Sequence, residues 1–140
     1  MSIEENKATF RRYVEEVWIK GNLDAADEIF AEKYLSHPPN APAEERTPED
    51  VKKFVSEWRS SFSDTENVIE DMIGEGDEVL NRWRIQATHS GEFRGIPATG
   101  KRITVTGMGI FRFSDDGKVV ESWDNFDQLG MMQQLGVISG

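Results

Sequence analysis

The 140-residue sequence predicts an α+β fold with helices first and a curved antiparallel sheet after them. Apolar residues recur at helical spacing up to about Phe62, and beyond it the chain reads as strands separated by turn residues. From Ile3 to about Lys20, Phe10, Tyr13, Val14, Val17 and Trp18 fall on one stripe, and Gly21-Asn22 stops the helix. A shorter helix follows from about Leu23 to Phe30. Tyr34 to His37 is extended and ends at Pro38-Pro39, and Asn40 to Arg46 is expected to be a mobile loop. Thr47-Pro48-Glu49-Asp50 opens a third helix with a cap, a first-turn proline and acids at the positive dipole end.

Thr65 to Ile73 is then a strand, Gly74 to Asp77 a turn, and Glu78 to about Gly91 a long strand with Val79, Trp83, Ile85 and Ala87 on one face. Gly91 to Lys101 is a long connection. Arg102 to Phe113 is rich in β-branched residues and phenylalanine, Asp115-Asp116-Gly117 is a hairpin turn, and Lys118 to about Asp127 closes the sheet. Gln128 to Leu135 forms a terminal helical turn or two. The whole chain, residues 1–140, reads as one domain.

Hydrophobic residues make up 37% of the chain and charged residues 30%, which suits a globular protein with a real core. Twenty-six acidic against 16 basic side chains give a formal charge of −10, which argues against nucleic acid and anionic membrane as partners. The absence of cysteine excludes disulfides, thiol nucleophiles and thiolate metal sites. With no signal-like or membrane-length apolar run, a cytoplasmic location is expected.

Asp124 is the strongest candidate for chemistry. Strand interiors disfavour Asp, yet this one stands between Trp123 and Phe126. A carboxyl in an apolar pocket has a raised pKa and becomes a usable acid or base. Simple alternation puts Asp124 with Val120, Ser122 and Phe126, and turns Val119, Glu121, Trp123, Asn125 and Asp127 the other way. His37, at the end of its strand, is a second acid/base candidate, and His89 reads as a structural histidine. Trp18, Trp58, Trp83 and Trp123 are core residues by spacing, some of them able to line an apolar cavity. Arg82 and Arg84 share a face, either as an oxygen anchor or on the solvated side. No metal-ligand spacing, P-loop, dinucleotide fingerprint or nucleophile elbow is present, so neither cofactor nor metal is expected.

Four segments together resemble the SnoaL-like polyketide cyclases, or ester cyclase group, of the nuclear-transport-factor-2-like superfamily. They are Tyr13-Val14-Glu15-Glu16-Val17-Trp18-Ile19-Lys20-Gly21-Asn22-Leu23-Asp24, Tyr34-Leu35-Ser36-His37, Thr88 to Lys101, and Glu121 to Gly130. The resemblance implies a cone-shaped α+β barrel with a deep pocket, paired as a homodimer through the sheet, acting on a small hydrophobic molecule. It also implies a pocket aspartate as acid/base in a cofactor-free aldol ring closure, and Asp124 matches that position. The polyketide cyclases supply polar partners from the neighbouring strand. Alternation puts Thr106, Met108 and Ile110 there, leaving His37 or Trp18 to position the substrate.

The reading is therefore a cyclase or isomerase with Asp124 and His37 as catalytic candidates. Trp18, Trp58, Trp83, Met108, Ile110 and Phe126 are the expected substrate-binding residues. The alternative is a non-catalytic binder of a hydrophobic metabolite. A limonene-epoxide hydrolase type of reaction would need an Asp–Arg–Asp set, and Arg82 and Arg84 have no adjoining Asp.

Overall fold

A computed structural model describes residues 1–138. Helix α1 (Ile3–Arg12) begins at a reciprocal cap: the Ser2 hydroxyl accepts the Glu5 N–H and the Glu5 carboxylate accepts the Ser2 N–H, both at 3.1 Å. The helix then continues as a wider π-helical segment over Tyr13–Ile19, where the Lys20 N–H reaches back five residues to the Glu15 carbonyl at 2.9 Å. The regular helix expected as far as Lys20 is thus split. The widened turns seat Tyr13 against Phe30 and Phe111, and Trp18 against Phe54 and Trp58. Gly21, at φ +73°, reverses the chain into a short 3₁₀ turn (Leu23–Ala25) and α2 (Ala26–Ile29).

Strand β1 (Phe30–His37) follows. Part of the loop expected over Asn40–Arg46 is instead an edge strand, β2 (Glu44–Arg46), paired antiparallel with β1. The open backbone edge of β1 takes up these residues against their loop-like composition. Helix α3 (Pro48–Ser61) starts at the predicted cap, with the Thr47 N–H donating to Asp50 at 2.9 Å. Then come β3 (Phe62–Glu75), β4 (Glu78–His89), β5 (Arg102–Phe113), β6 (Val119–Phe126) and α4 (Gln128–Leu135). The sheet order is β2-β1-β6-β5-β4-β3. All neighbours are antiparallel except β1 and β6, which run parallel because no hairpin joins them.

Register decides the two faces. Val79, Asn81, Trp83, Ile85 and Ala87 of β4 lie opposite Phe111, Gly109, Gly107, Val105 and Ile103 of β5. Across β5, Phe111 meets Ser122, Gly109 meets Asp124 and Gly107 meets Phe126. These residues form the inner face, under the helices. One apolar cluster gathers Phe10, Val17, Phe30, Val55, Val79 and Phe111, and a second gathers Trp58, Phe62, Ile85, Phe93, Val105 and Met131. Trp18 packs against both. Among the described residues, no helix is long and apolar enough to cross a membrane.

Alternation along β6 breaks at a bulge between Arg112 and Phe113 of its partner. Val119 is therefore fully buried opposite Phe113, which corrects its expected outward placement.

Candidate active site

Asp124 stands on the inner face at the seam between the two clusters. Gly109 lies opposite it, and a Cβ built on Gly109 would fall 3.1 Å from Asp124 Oδ1, so the carboxyl leans over the side-chain-free strand. Burial pushes its pKa from 3.8 up to about 6; nearby Arg46 and the Ser122 hydroxyl pull it partly back. Gly107 provides a second bare position, and the Trp83 ring lies where its Cβ would project.

The other side chains around the carboxyl come from distant parts of the chain. Burial raises the Tyr13 and Tyr34 phenols, Tyr34 to about 12, and the Asp124 charge adds to both shifts. Arg46 is opposite Tyr34 in the β1–β2 pair, which brings its charge toward the inner face. Asn81 completes the row Asn81–Gly109–Asp124 across three strands. Sequence reasoning missed Tyr13, Tyr34, Arg46 and Asn81 as site residues. Asn81 had a readable signal, a lone amide between Val79 and Trp83 on an apolar face; Arg46 had none, because its strand looked like loop.

The structure brings Asp124, Trp83 and Phe126 together on the inner face, and Trp18 and Trp58, packed edge to face with ring centroids 6.3 Å apart, join the same apolar cluster as Trp83 and Phe126. It puts three expected residues elsewhere. Met108 and Ile110 are opposite Asn125 and Trp123, on the outer face, and Met108 is 52% exposed. The positions facing Asp124 are Gly107 and Gly109, because register is set by pairing rather than by counting along one strand.

His37 is also on the outer face. It aligns with Trp123, stacks on its ring at 4.8 Å, and hydrogen-bonds Glu121 Oε2 through Nε2 at 2.7 Å. Glu121 also accepts from Arg112 at 3.0 Å, and these two partners hold its carboxyl below its ordinary value. His37 therefore cannot share a substrate with Asp124 across the intact sheet.

Arg82 and Arg84 are outer-face residues, paired with Asp71 and Glu70. His89 is fully buried and accepts the Thr99 N–H at Nδ1, 3.2 Å away, which ties down the long connection. Two depressions, of about 370 and 390 Å³, are lined by Asp27, Thr47 and Lys118, and by Arg82, Thr106 and Met108, respectively; Asp124 lines neither. Among the described residues, no three His, Cys, Asp or Glu side chains cluster as a metal ion would need.

The inner face of this α+β layer pair thus carries a desolvated carboxyl over a glycine-floored strand. The family model for SnoaL-like polyketide cyclases matches residues 8–135, and the chain belongs to that family. Among solved structures, one provisionally designated a polyketide cyclase from Acidithiobacillus ferrooxidans is 33% identical, with a TM-score of 0.84 over 98% of this chain and 99% of that one. IdmH of Streptomyces antibioticus, with the same provisional designation, is 30% identical, with a TM-score of 0.77 over 94% and 98%. AclR of Streptomyces galilaeus, provisionally designated a hydroxylase, is 27% identical, with a TM-score of 0.85 over 99% and 85%. No curated protein sequence matches.

Proposed function

We propose that this protein is a cyclase or isomerase that uses Asp124 as general acid and base on a hydrophobic carbonyl compound. The observation that carries the reading is the placement of the Asp124 carboxyl on the inner face over Gly109, where burial pushes its pKa up to about 6. Near neutral pH such a group takes a proton from carbon and remains a competent acid to return it. In an aldol closure, ionised Asp124 removes a proton next to one carbonyl. The resulting carbon nucleophile attacks a second carbonyl of the same molecule, and the new alkoxide takes the proton back from Asp124. Atoms and charge balance, and the carboxylate is regenerated.

A pocket between sheet and helices is supported by partial exposure where burial would be expected. Tyr13, Trp18 and Asp124 belong to the interior side, yet each keeps some accessible surface, whereas Trp83 and Phe126 also line the depression shared with Arg82, Thr106 and Met108. Inward-facing surface of that kind lines a space. The sequence-level assignment of Trp18, Trp58, Trp83 and Phe126 to substrate binding is retained in this proposal; that of His37, Met108 and Ile110 is not.

The test is a panel of diketones and polyketide-like polyketones assayed for ring closure with wild type and Asp124→Asn. Turnover that follows an ionisation near pH 6 and disappears in the variant is expected. Turnover unaffected by the substitution would sink the reading, and ligand binding without turnover by either protein would leave a non-catalytic binder.

The same proposal pairs two copies through the outer face. Ile73, Leu80, Ile110, Trp123 and His37 align in one row across five strands, with Ile73 61% exposed. Sedimentation of wild type at dimer mass and of Trp123→Arg at monomer mass is expected; a monomeric wild type would contradict it.

A further inference from the structure

The inner face of β4 carries Val79, Asn81, Trp83, Ile85 and Ala87, and Asn81 is its one polar residue over that run. It is 3% exposed, and among the described residues its side-chain amide forms no hydrogen bond. The amide is not one of the fully sealed unpartnered groups (Asn6 Oδ1, Trp58 Nε1, His89 Nε2), so it keeps a sliver of accessible surface on that face. A nearly buried amide without a protein partner calls for one from whatever occupies the space it touches. An apolar residue would serve the core better, so the amide is explained by something outside the protein chain.

Its position says what that is. Asn81 and Asp124 flank Gly109 on the same face, two strand spacings apart, or roughly 10 Å between backbones. Gly109 has no side chain to fill the gap, and Asp124 Oδ1 leans over it. The row toward the first cluster is closed by Val79 and Phe111; the row toward the second offers the Trp83 ring, lying over Gly107, and Phe126. The floor between amide and carboxyl is therefore flat, and its margins are aromatic and aliphatic. An asparagine amide brings two N–H donors and no charge, which suits a neutral carbonyl oxygen rather than an anion or a cation.

We propose that Asn81 holds the carbonyl oxygen of a planar, enolisable ketone while Asp124 faces the carbon next to that carbonyl. This rests on the acid/base reading of Asp124 and adds the group that receives the developing charge. When Asp124 takes the proton, the C–H electron pair moves into the carbonyl and negative charge collects on oxygen. The hydrogen bond donated by the Asn81 N–H strengthens at that moment, so it favours the transition state over the bound ketone.

The probes are 1-tetralone, a flat bicyclic ketone, and tetralin, its hydrocarbon counterpart. They are titrated into the whole protein at pH 8, where Asp124 is ionised and donates no hydrogen bond. The infrared carbonyl stretch of bound 1-tetralone is recorded as well. Wild type is expected to prefer the ketone and to lower its stretching frequency relative to an alkane solution. Asn81→Leu and the smaller Asn81→Ala are expected to lose about tenfold of that preference, and the band is expected to return toward its alkane position.

A wild-type band at the alkane position, or a lowered band that persists in a folded Asn81 variant, overturns the role of Asn81 and leaves Asp124 untouched. Binding of neither compound by wild type overturns the pocket itself, and the inference with it. The wild-type spectrum decides the matter even if both variants fail to fold.

Discussion

Two carboxylates three residues apart on β6 are pushed in opposite directions. Asp124, on the inner face, is raised to about 6; Glu121, on the outer face, is held below its ordinary value by His37 and Arg112. Strand and local sequence are shared, so the difference is one of burial and partners. Asp124 is desolvated over a glycine, which outweighs the nearby Arg46 charge and the Ser122 hydroxyl, whereas Glu121 accepts from two side chains at 2.7 and 3.0 Å. A carboxylate with good partners becomes a structural anion, and one stripped of water without them becomes an acid/base.

The largest effect that would break this contrast is Asp124→Asn. Turnover should fall about 10²–10⁴-fold if the carboxyl is the proton-transfer group. The same variant should be more stable than wild type at pH 8. The unfolded Asp loses its proton near 3.8 and the folded one only near 6, so the unfolded state binds fewer protons in that window. Wild-type stability therefore falls as pH rises from 3.8 to 6, by about 3 kcal/mol in total, and stays low above it. Urea unfolding of both proteins at pH 8 and near pH 4 should show the gap opening at the higher pH.

Gly109→Ala comes next. Its Cβ would meet the Trp123 carbonyl at 2.5 Å and Asp124 Oδ1 at 3.1 Å, so a loss of about 1–3 kcal/mol in chemical denaturation is expected. Glu121→Gln should cost at most about 1 kcal/mol, because His37 and Arg112 keep solvent contact. The sign is opposite to that of Asp124: the stabilisation from Glu121 is present above its unfolded pKa of 4.5 and is lost as pH falls through the lower folded value. The smallest effect sharpens the contrast rather than breaking it. Arg46→Gln removes the cation that restrains Asp124, so carbon-13 NMR titration of that carboxyl should give a pKa above the wild-type value.

Much of the fold was legible in the chain. The cap at Thr47, the turn at Asp115–Gly117, the reversal expected over Gly74–Asp77 (tightened to Gly76–Asp77, with Gly74 and Glu75 paired in β3), and the inward set Val79, Trp83, Ile85 and Ala87 follow from periodicity and turn chemistry. The site was legible only in part. Asp124 was found because a carboxylate in mid-strand is unusual, but its neighbours were misjudged on β5 and at His37. Counting along β5 says that Met108 and Ile110 share a face. It does not say which residues of β6 share that face, because parity passes between strands only through their pairing. The bulge beside Phe113 shifts that parity again for Val119.

Sequence alone determined the helices-then-strands order, the unusual carboxylate at Asp124 and the likeness to its family, since each depends on residues near one another in the chain. Tertiary structure alone decided that Asn81, Gly109 and Asp124 form one row, that Tyr13, Tyr34 and Arg46 converge on it, and that His37 belongs to the opposite face. The physical reason is the two-residue period of a strand: a shift of one residue in register exchanges its faces, and only long-range pairing and core burial choose between them.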